Sequence, residues 1–221
     1  MTRPGLLNQI TQDLEQNNIQ AVADALSSVH PSDIPNILQS LEPEDHSRIM
    51  EALDNETASE VILELDREQR EDILEGFDEE KIADIVEEMD SDDAADLIGE
   101  LPKATAETVL SKLDPEEYRE VEPLLNYPED TAGGIMQTEL VKVSENSTVR
   151  DTINWIRLVA DQVDDFHLIF VTDSHDRLLG QILLSKLVLA TPGTKAVDIM
   201  EPVEVTVTPN VDQEEVAKLF Q

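Results

Sequence analysis

The chain has no cysteine among its 221 residues, which excludes a disulfide framework and any thiolate metal site and agrees with a reducing compartment. No apolar run approaches the ~20 residues needed to span a bilayer, and Met1–Asn8 lacks the apolar core of a signal peptide. Positive charge is scarce: 15 Lys+Arg stand against 50 Asp+Glu, a formal net charge of -35. Such a field repels nucleic-acid phosphate and anionic membrane surfaces. Nucleic acid is therefore excluded as a partner, which leaves cations, basic proteins or plain solubility. The usual marks of an enzyme are also missing. There is no Gly-rich phosphate loop, no GxSxG and no His pair at metal-ligand spacing. His30, His46, His167 and His175 are dispersed and read as surface or strand-edge groups. No nucleophile, base and anion site can be assembled, so the reading is non-enzymatic.

Acidity here is not disorder, because 40% of residues are hydrophobic and regularly spaced. The length admits one or two domains with real cores. Charge divides the chain unevenly. Residues 1–130 hold 36 acidic and 8 basic groups, a net of -28, whereas residues 131–221 hold 14 and 7. Composition shifts at the same place, from Leu, Ile, Ala and Glu to β-branched runs such as Leu168-Ile169-Phe170-Val171. A boundary is expected between Tyr127-Pro128 and Gly133-Gly134, the glycines being most simply a flexible join whose carbonyls also suit an ion.

The first part repeats. Leu41, Leu65, Met89 and Leu113 stand 24 residues apart, each followed by acidic or turn residues. Twelve positions on lie Leu53, Phe77, Leu101 and Leu125. Apolar pairs recur between them: Ile37-Leu38, Ile49-Met50, Val61-Ile62, Ile73-Leu74, Ile85-Val86, Leu97-Ile98 and Val109-Leu110. The three-and-four spacing is helical, and Pro or acidic groups suit first turns. Each 24-residue unit thus reads as two short helices that bury their stripes only by stacking, as in an α-superhelix. The second part reads as βαββα: strand Glu139–Val143, helix Thr148–Val159 with Trp155 and Ile156 inward, strand His167–Thr172, a turn, strand Leu178–Leu183 and helix Ser185–Ala190. A strand at Val203–Val207 and a helix at Val211–Phe220 would begin a second such unit, cut off before its hairpin, as in a fragment of a longer protein.

Among many carboxylates, one set is better organised. Asp92 and Asp96 are one helical turn apart on one face, with Asp93 and Glu88 close by. Like charges so placed oppose a helix by about 0.2–0.5 kcal/mol unless compensated. Two readings of Asp92 and Asp93 stay open, helix-dipole capping and cation binding. The same pair applies to Asp212-Gln213-Glu214-Glu215. All-oxygen ligands suit Mg²⁺ or Ca²⁺ over Zn²⁺, and the loops do not follow the EF-hand pattern.

The run Met89-Asp90-Ser91-Asp92-Asp93-Ala94-Ala95-Asp96, then Tyr127-Pro128-Glu129-Asp130-Thr131-Ala132-Gly133-Gly134-Ile135-Met136, then Asp212-Gln213-Glu214-Glu215-Val216-Ala217, resembles the cytosolic part of an MgtE-type magnesium transporter. The resemblance implies an α + α/β fold: an N-terminal right-handed α-helical superhelix of short helix-pair repeats over 1–130, a first CBS domain (βαββα) over 131–197, and the start of a truncated second CBS domain over 198–221. It implies a regulatory region on the cytoplasmic face of the inner membrane, itself soluble. It implies a homodimer through the CBS domains and a membrane pore domain elsewhere in the full-length chain. Mg²⁺, both regulatory and transported, would bridge the acidic faces of the N and CBS domains and favour the closed pore. By matching motif, the metal ligands would be Glu60, Asp92, Asp96, Gly134 through its carbonyl, Asp212 and Glu214, with Gln221 at another backbone-carbonyl position. CBS units that bind adenosine nucleotides often carry G-h-h-[ST]-x-x-D after the last strand. Here Gly180-Gln181-Ile182 leads to Leu183 and Lys186, so both polar grips are absent and no nucleotide is expected at this half-site. The rival readings are a protein-interaction superhelix, since the repeats also resemble those of the flagellar motor switch protein FliG, and a CBS nucleotide sensor without metal regulation.

Overall fold

A helix of eight to ten residues is marginal alone in water, so such elements persist only where their apolar faces are shared. In the computed structural model of the chain, which describes residues 5–159 and 166–220, this sharing organises the first of two compact units, Met1–Asn126 and Tyr127–Gln221. The first unit is helical throughout: α1 (Leu6–Glu15), α2 (Ile19–Leu26), α3 (Ile34–Leu38), α4 (Pro43–Glu51), α5 (Asn55–Leu63), α6 (Arg67–Leu74), α7 (Glu79–Val86), α8 (Ser91–Glu100), α9 (Lys103–Leu110) and α10 (Pro115–Leu124). From α4 onward the first residues Pro43, Asn55, Arg67, Glu79, Ser91, Lys103 and Pro115 lie twelve apart. The 24-residue repeat is therefore two copies of a one-helix phase.

Two features keep that phase. The residue before the helix is aspartate at 54, 66, 78, 90 and 114. Asp54 accepts from the Thr57 amide at 2.8 Å, Asp66 from Gln69 at 3.0 Å and Asp78 from Lys81 at 2.9 Å. At Asp66 the Gln69 side chain reaches back to the Asp66 amide, completing a capping box. The second feature is the apolar pair. Ile37-Leu38, Ile49-Met50, Val61-Ile62, Ile73-Leu74, Ile85-Val86 and Leu97-Ile98 are all buried, as is Val109. Each such side chain contributes about 1.5–3 kcal/mol on burial. Helices pack on the helix two further along: α2 on α4, α4 on α6, α5 on α7, α7 on α9 and α8 on α10. Stacking of this kind builds the superhelix that the repeat predicts.

The second unit holds a small mixed sheet. Its elements are β1 (Lys142–Ser144), α11 (Val149–Leu158), β2 (Leu168–Thr172), β3 (Leu178–Leu183), α12 (Leu184–Leu189), α13 (Ala196–Ile199) and α14 (Gln213–Leu219). The strand order is β1-β2-β3. β1 runs parallel to β2 with Val143 opposite Val171, and β2 antiparallel to β3 with Ile169 opposite Ile182. The expected βαββα unit is present, and Val141, Val143, Val149, Ile169, Val171, Ile182, Leu187 and Ala196 form its core. The hairpin turn is held by Asp173, whose Oδ1 accepts from the amides of His175 and Arg177 at 2.8 and 3.0 Å. Gly180 is required on β3 because a Cβ there would lie 2.5 Å from the Glu201 carbonyl. That close approach lets Gln181 and Glu201 exchange two 2.8 Å backbone hydrogen bonds.

Three expectations are corrected here. Trp155 does not face inward; it is 42% exposed, because the buried stripe of α11 runs Val149, Thr152, Ile153, Ile156 and residue 155 falls beside it. Val203–Val207 forms no strand. A strand exists only through a ladder, and this segment's approach to β3 ends in one bridge between Gln181 and Glu201. Gly133-Gly134 is not a flexible join; both residues are buried in a hydrogen-bonded turn. Among the described residues no helix is long and apolar enough to cross a membrane.

The capping box gives a direct test of the phase. Asp66→Ala is expected to destabilise the helical unit by about 1 kcal/mol, read as a lower urea midpoint by far-ultraviolet circular dichroism; an unchanged midpoint would deny the cap any structural weight.

Candidate metal centre

The first turn of α8 concentrates acid where the backbone offers unpaired amides, an arrangement that lowers the cost of negative charge. One carboxylate oxygen from each of Asp90, Asp92 and Asp93 lies within 4.8 Å of the other two. Asp90 is exposed and the other two are half-buried. Oδ1 of Asp92 is fully buried and has no hydrogen-bond partner among the described residues. An acceptor shut away from water without a donor carries a desolvation cost that a bound cation would relieve. Three acceptor-only groups and no sulfur or imidazole suit a hard cation, so the residues present fit Mg²⁺ chemically.

Electrostatics at Asp93 record the crowding. Burial pushes its carboxyl above the ordinary range, the charges of Asp92 and Asp90 push it further, and Arg70 pulls it back. Arg70 lies against α8 because its guanidinium forks onto Glu100, the last residue of that helix, through Nε at 3.0 Å and Nη2 at 2.6 Å.

The other expected ligands fall in three places. Asp96 is exposed on α8 one turn beyond Asp92 and is not part of the 4.8 Å group. Glu60 is exposed on α5, whose buried face is Ala58, Ser59, Val61 and Ile62. In the second unit, the segment before β1 folds onto the approach to α14. Ala132 donates to Val211 O and Gly133 to Pro209 O, both at 2.7 Å, and Gln213 donates to Asp130 O at 2.9 Å. Thr131 and Asp212 form an antiparallel bridge. Gly134 closes this turn, its amide donating to Thr131 O at 3.0 Å, and Thr131 is the residue bridged to Asp212 at the head of α14. Asp212 caps that helix, its Oδ1 accepting from Glu214 N at 2.8 Å, and Glu214 is exposed. Gln221 lies outside the described residues.

Asp90 was not legible as a ligand candidate. It occupies the cap phase of Asp54, Asp66 and Asp78, and so reads as one more cap. Unlike them it makes no side-chain cap bond to its helix. The available signal was the adjacent Asp92-Asp93 pair, which no other repeat carries.

Against known proteins, residues 29–130 match the sequence model described as the MgtE intracellular N domain. The chain is 42% identical over 108 residues to the magnesium transporter MgtE of Thermus thermophilus, covering 49% of this chain and 24% of that protein. It thus spans about a quarter of the length of the curated relatives it matches. In three dimensions it resembles the crystal structure of the cytosolic domain of the Mg²⁺ channel MgtE in complex with ATP, with a TM-score of 0.87, 32% identity and coverage of 97% of this chain and 88% of that one. It also resembles the crystal structure of the soluble part of a magnesium transporter, at TM-score 0.80 and 28% identity over 98% and 86% of the two chains.

Two outcomes follow from the geometry. Because the native state holds the Asp93 proton more tightly than the unfolded chain, stability falls as pH rises from the ordinary value of 3.8 through the raised one. That cost is fully present at neutral pH. Asp93→Asn is expected to stabilise the ion-free protein at pH 7 by about 0.5 kcal/mol, allowing for solvent screening. The gain should vanish below pH 3.8, as measured by urea unfolding in chelator at the two pH values. Gly134 packs so closely on the 128–129 backbone that a Cβ would come within 2.8 Å of Glu129 Cα. Gly134→Ala should cost about 1–3 kcal/mol, followed by the fluorescence of Trp155, the single tryptophan; wild-type stability would rule out the tight turn.

Proposed function

The chain belongs to the MgtE family, and from that premise we propose that it is the cytosolic, Mg²⁺-sensing regulatory region of a magnesium transporter. The observation that carries this reading is the first turn of α8, where a buried, unpartnered Asp92 oxygen stands among crowded carboxylates. Asp92 and Asp96 would hold Mg²⁺ on the helical unit, with Glu60 contributing from α5. Gly134 through its carbonyl, Asp212 and Glu214 would contribute from the second. Residues 131–197 are read as a first CBS domain and 198–221 as the start of a second. Homodimerisation through these domains, a pore elsewhere in the protein, and a position at the cytoplasmic face of the membrane belong to the same proposal. The role is regulatory and non-enzymatic.

The physics is a shift of populations. Two unit charges ~6 Å apart in water repel by about 0.7 kcal/mol, and by severalfold more where the dielectric falls. An arrangement that crowds carboxylates is disfavoured without a counter-ion and favoured with one. Carboxylates crowded in this way would be favoured with Mg²⁺ bound, by differential binding, and that is the state we assign to the closed pore.

A relative solved in complex with ATP favours a second reading, a nucleotide ligand. In this chain the hydroxyl and acid positions after β3 are Leu183 and Lys186, and Lys186 is paired with Glu201 at 2.9 Å. These residues support the metal reading over a nucleotide at that half-site.

Titration calorimetry with MgCl₂ at constant ionic strength tests the proposal. Wild type should bind, and Asp92→Asn should weaken binding by about tenfold, as expected for loss of a group in the immediate metal environment. Exposed Glu44→Gln, on α4, should leave binding unchanged. Equal heats for wild type and Asp92→Asn would sink the assignment. ATP titrated in the same cell should give no saturable heat.

A further inference from the structure

A carboxylate site assembled from separate helices needs those helices held in register, because a ligand displaced by an ångström loses much of its worth. In the helical unit the acids assigned to Mg²⁺ come from α5 (Glu60) and α8 (Asp92 and Asp96). One side chain ties the turn that closes α5 to the end of α8. Arg70, on α6, donates from Nη1 to the carbonyl of Leu65 at 3.0 Å, two residues past the last residue of α5. Through Nε and Nη2 it donates to both oxygens of Glu100, the terminal residue of α8, at 3.0 and 2.6 Å. The side chains of Arg70 and Glu100 are 21% and 12% exposed, so solvent screening is reduced and the planar fork fixes direction as well as distance. A Lys, whose three donors radiate from a single nitrogen, could not reproduce this planar fork.

We propose that Arg70 is a positioning residue for the cation site, a brace that ties the turn closing α5 to the end of α8 and so keeps the two acid-bearing helices in register. The inference rests on the Mg²⁺ reading given above. Its geometry is supported by the helical spacing of α8, where Asp93, Asp96 and Glu100 stand at i, i+3 and i+7 on one stripe. The fork therefore grips the stripe that bears the acids. Arg70 also carries a positive charge beside a cation site, which taken alone would weaken cation binding. Bracing and repulsion thus act with opposite signs, which makes them separable.

The test is calorimetric titration of MgCl₂ into the 221-residue chain for wild type, Arg70→Lys and Arg70→Gln, with melting temperatures recorded in chelator. Arg70→Lys keeps the charge and gives up the fork; Arg70→Gln gives up both. Both should weaken Mg²⁺ binding by about three- to tenfold, less than the ~10–100-fold typical of a group bonded directly to a ligand. Tighter binding by Arg70→Gln would mean that the guanidinium acts only as an opposing charge, and would overturn the brace. Affinity within twofold of wild type for Arg70→Lys would overturn it as well. Ile73→Val, in the core of α6, controls for lost stability: it should lower the melting temperature and leave affinity unchanged. If it weakens Mg²⁺ binding as much as Arg70→Lys does, the effect is one of stability and the brace fails. Should wild type and Asp92→Asn already bind alike, it is the metal reading that fails, independently of Arg70.

Discussion

Everything in the helical unit depends on one constraint: no helix in it is long enough to be stable alone. Each of the seven helices from α4 to α10 has eight to ten residues, and each offers buried apolar side chains that only a neighbour can cover. The twelve-residue phase satisfies this by setting most of these helices against the helix two positions away. Once the inner face is committed to that contact, the outer face is free of packing requirements, and it is there that the acidic residues accumulate. Charge of this density is tolerable because the stacking supplies the cohesion that the surface opposes.

Most of those acids have ordinary duties. Asp54, Asp66 and Asp78 cap their helices, Glu71 pairs with Arg67, and Glu80 pairs with Lys112. Glu87 accepts from the amide of Asp114 at the head of α10. The start of α8 differs because three carboxylates converge with one oxygen buried and unpartnered. On the proposed Mg²⁺ reading, a sensor built this way would draw on the same chemistry as the scaffold, with a few groups withheld from their structural employment.

The repeat, its caps and its buried pairs were legible from spacing alone, because helix periodicity and cap chemistry are local. The βαββα order was legible for the same reason. What was not legible depended on contacts distant in sequence. Val203–Val207 has strand composition but no ladder. Trp155 lies off a stripe whose direction is set by Val149 and Thr152. Adjacent glycines at 133 and 134 suggest looseness, whereas their missing side chains admit Tyr127 and the 128–129 backbone. Asp90 was concealed by its own regularity. Arg70 gave no local signal, since its partners Leu65 and Glu100 lie 5 and 30 residues away.

The twelve-residue phase also restricts how such a domain can change length over evolution. Because each helix rests on the one two positions away, the helices fall into two interleaved series. Loss or gain of 24 residues removes or adds one member of each series and leaves every remaining contact of the same kind. A change of twelve exchanges the series beyond the edit, putting each later apolar face opposite a different neighbour. Length in this fold is therefore quantised in helix pairs, and insertions of other sizes belong in the turns between them.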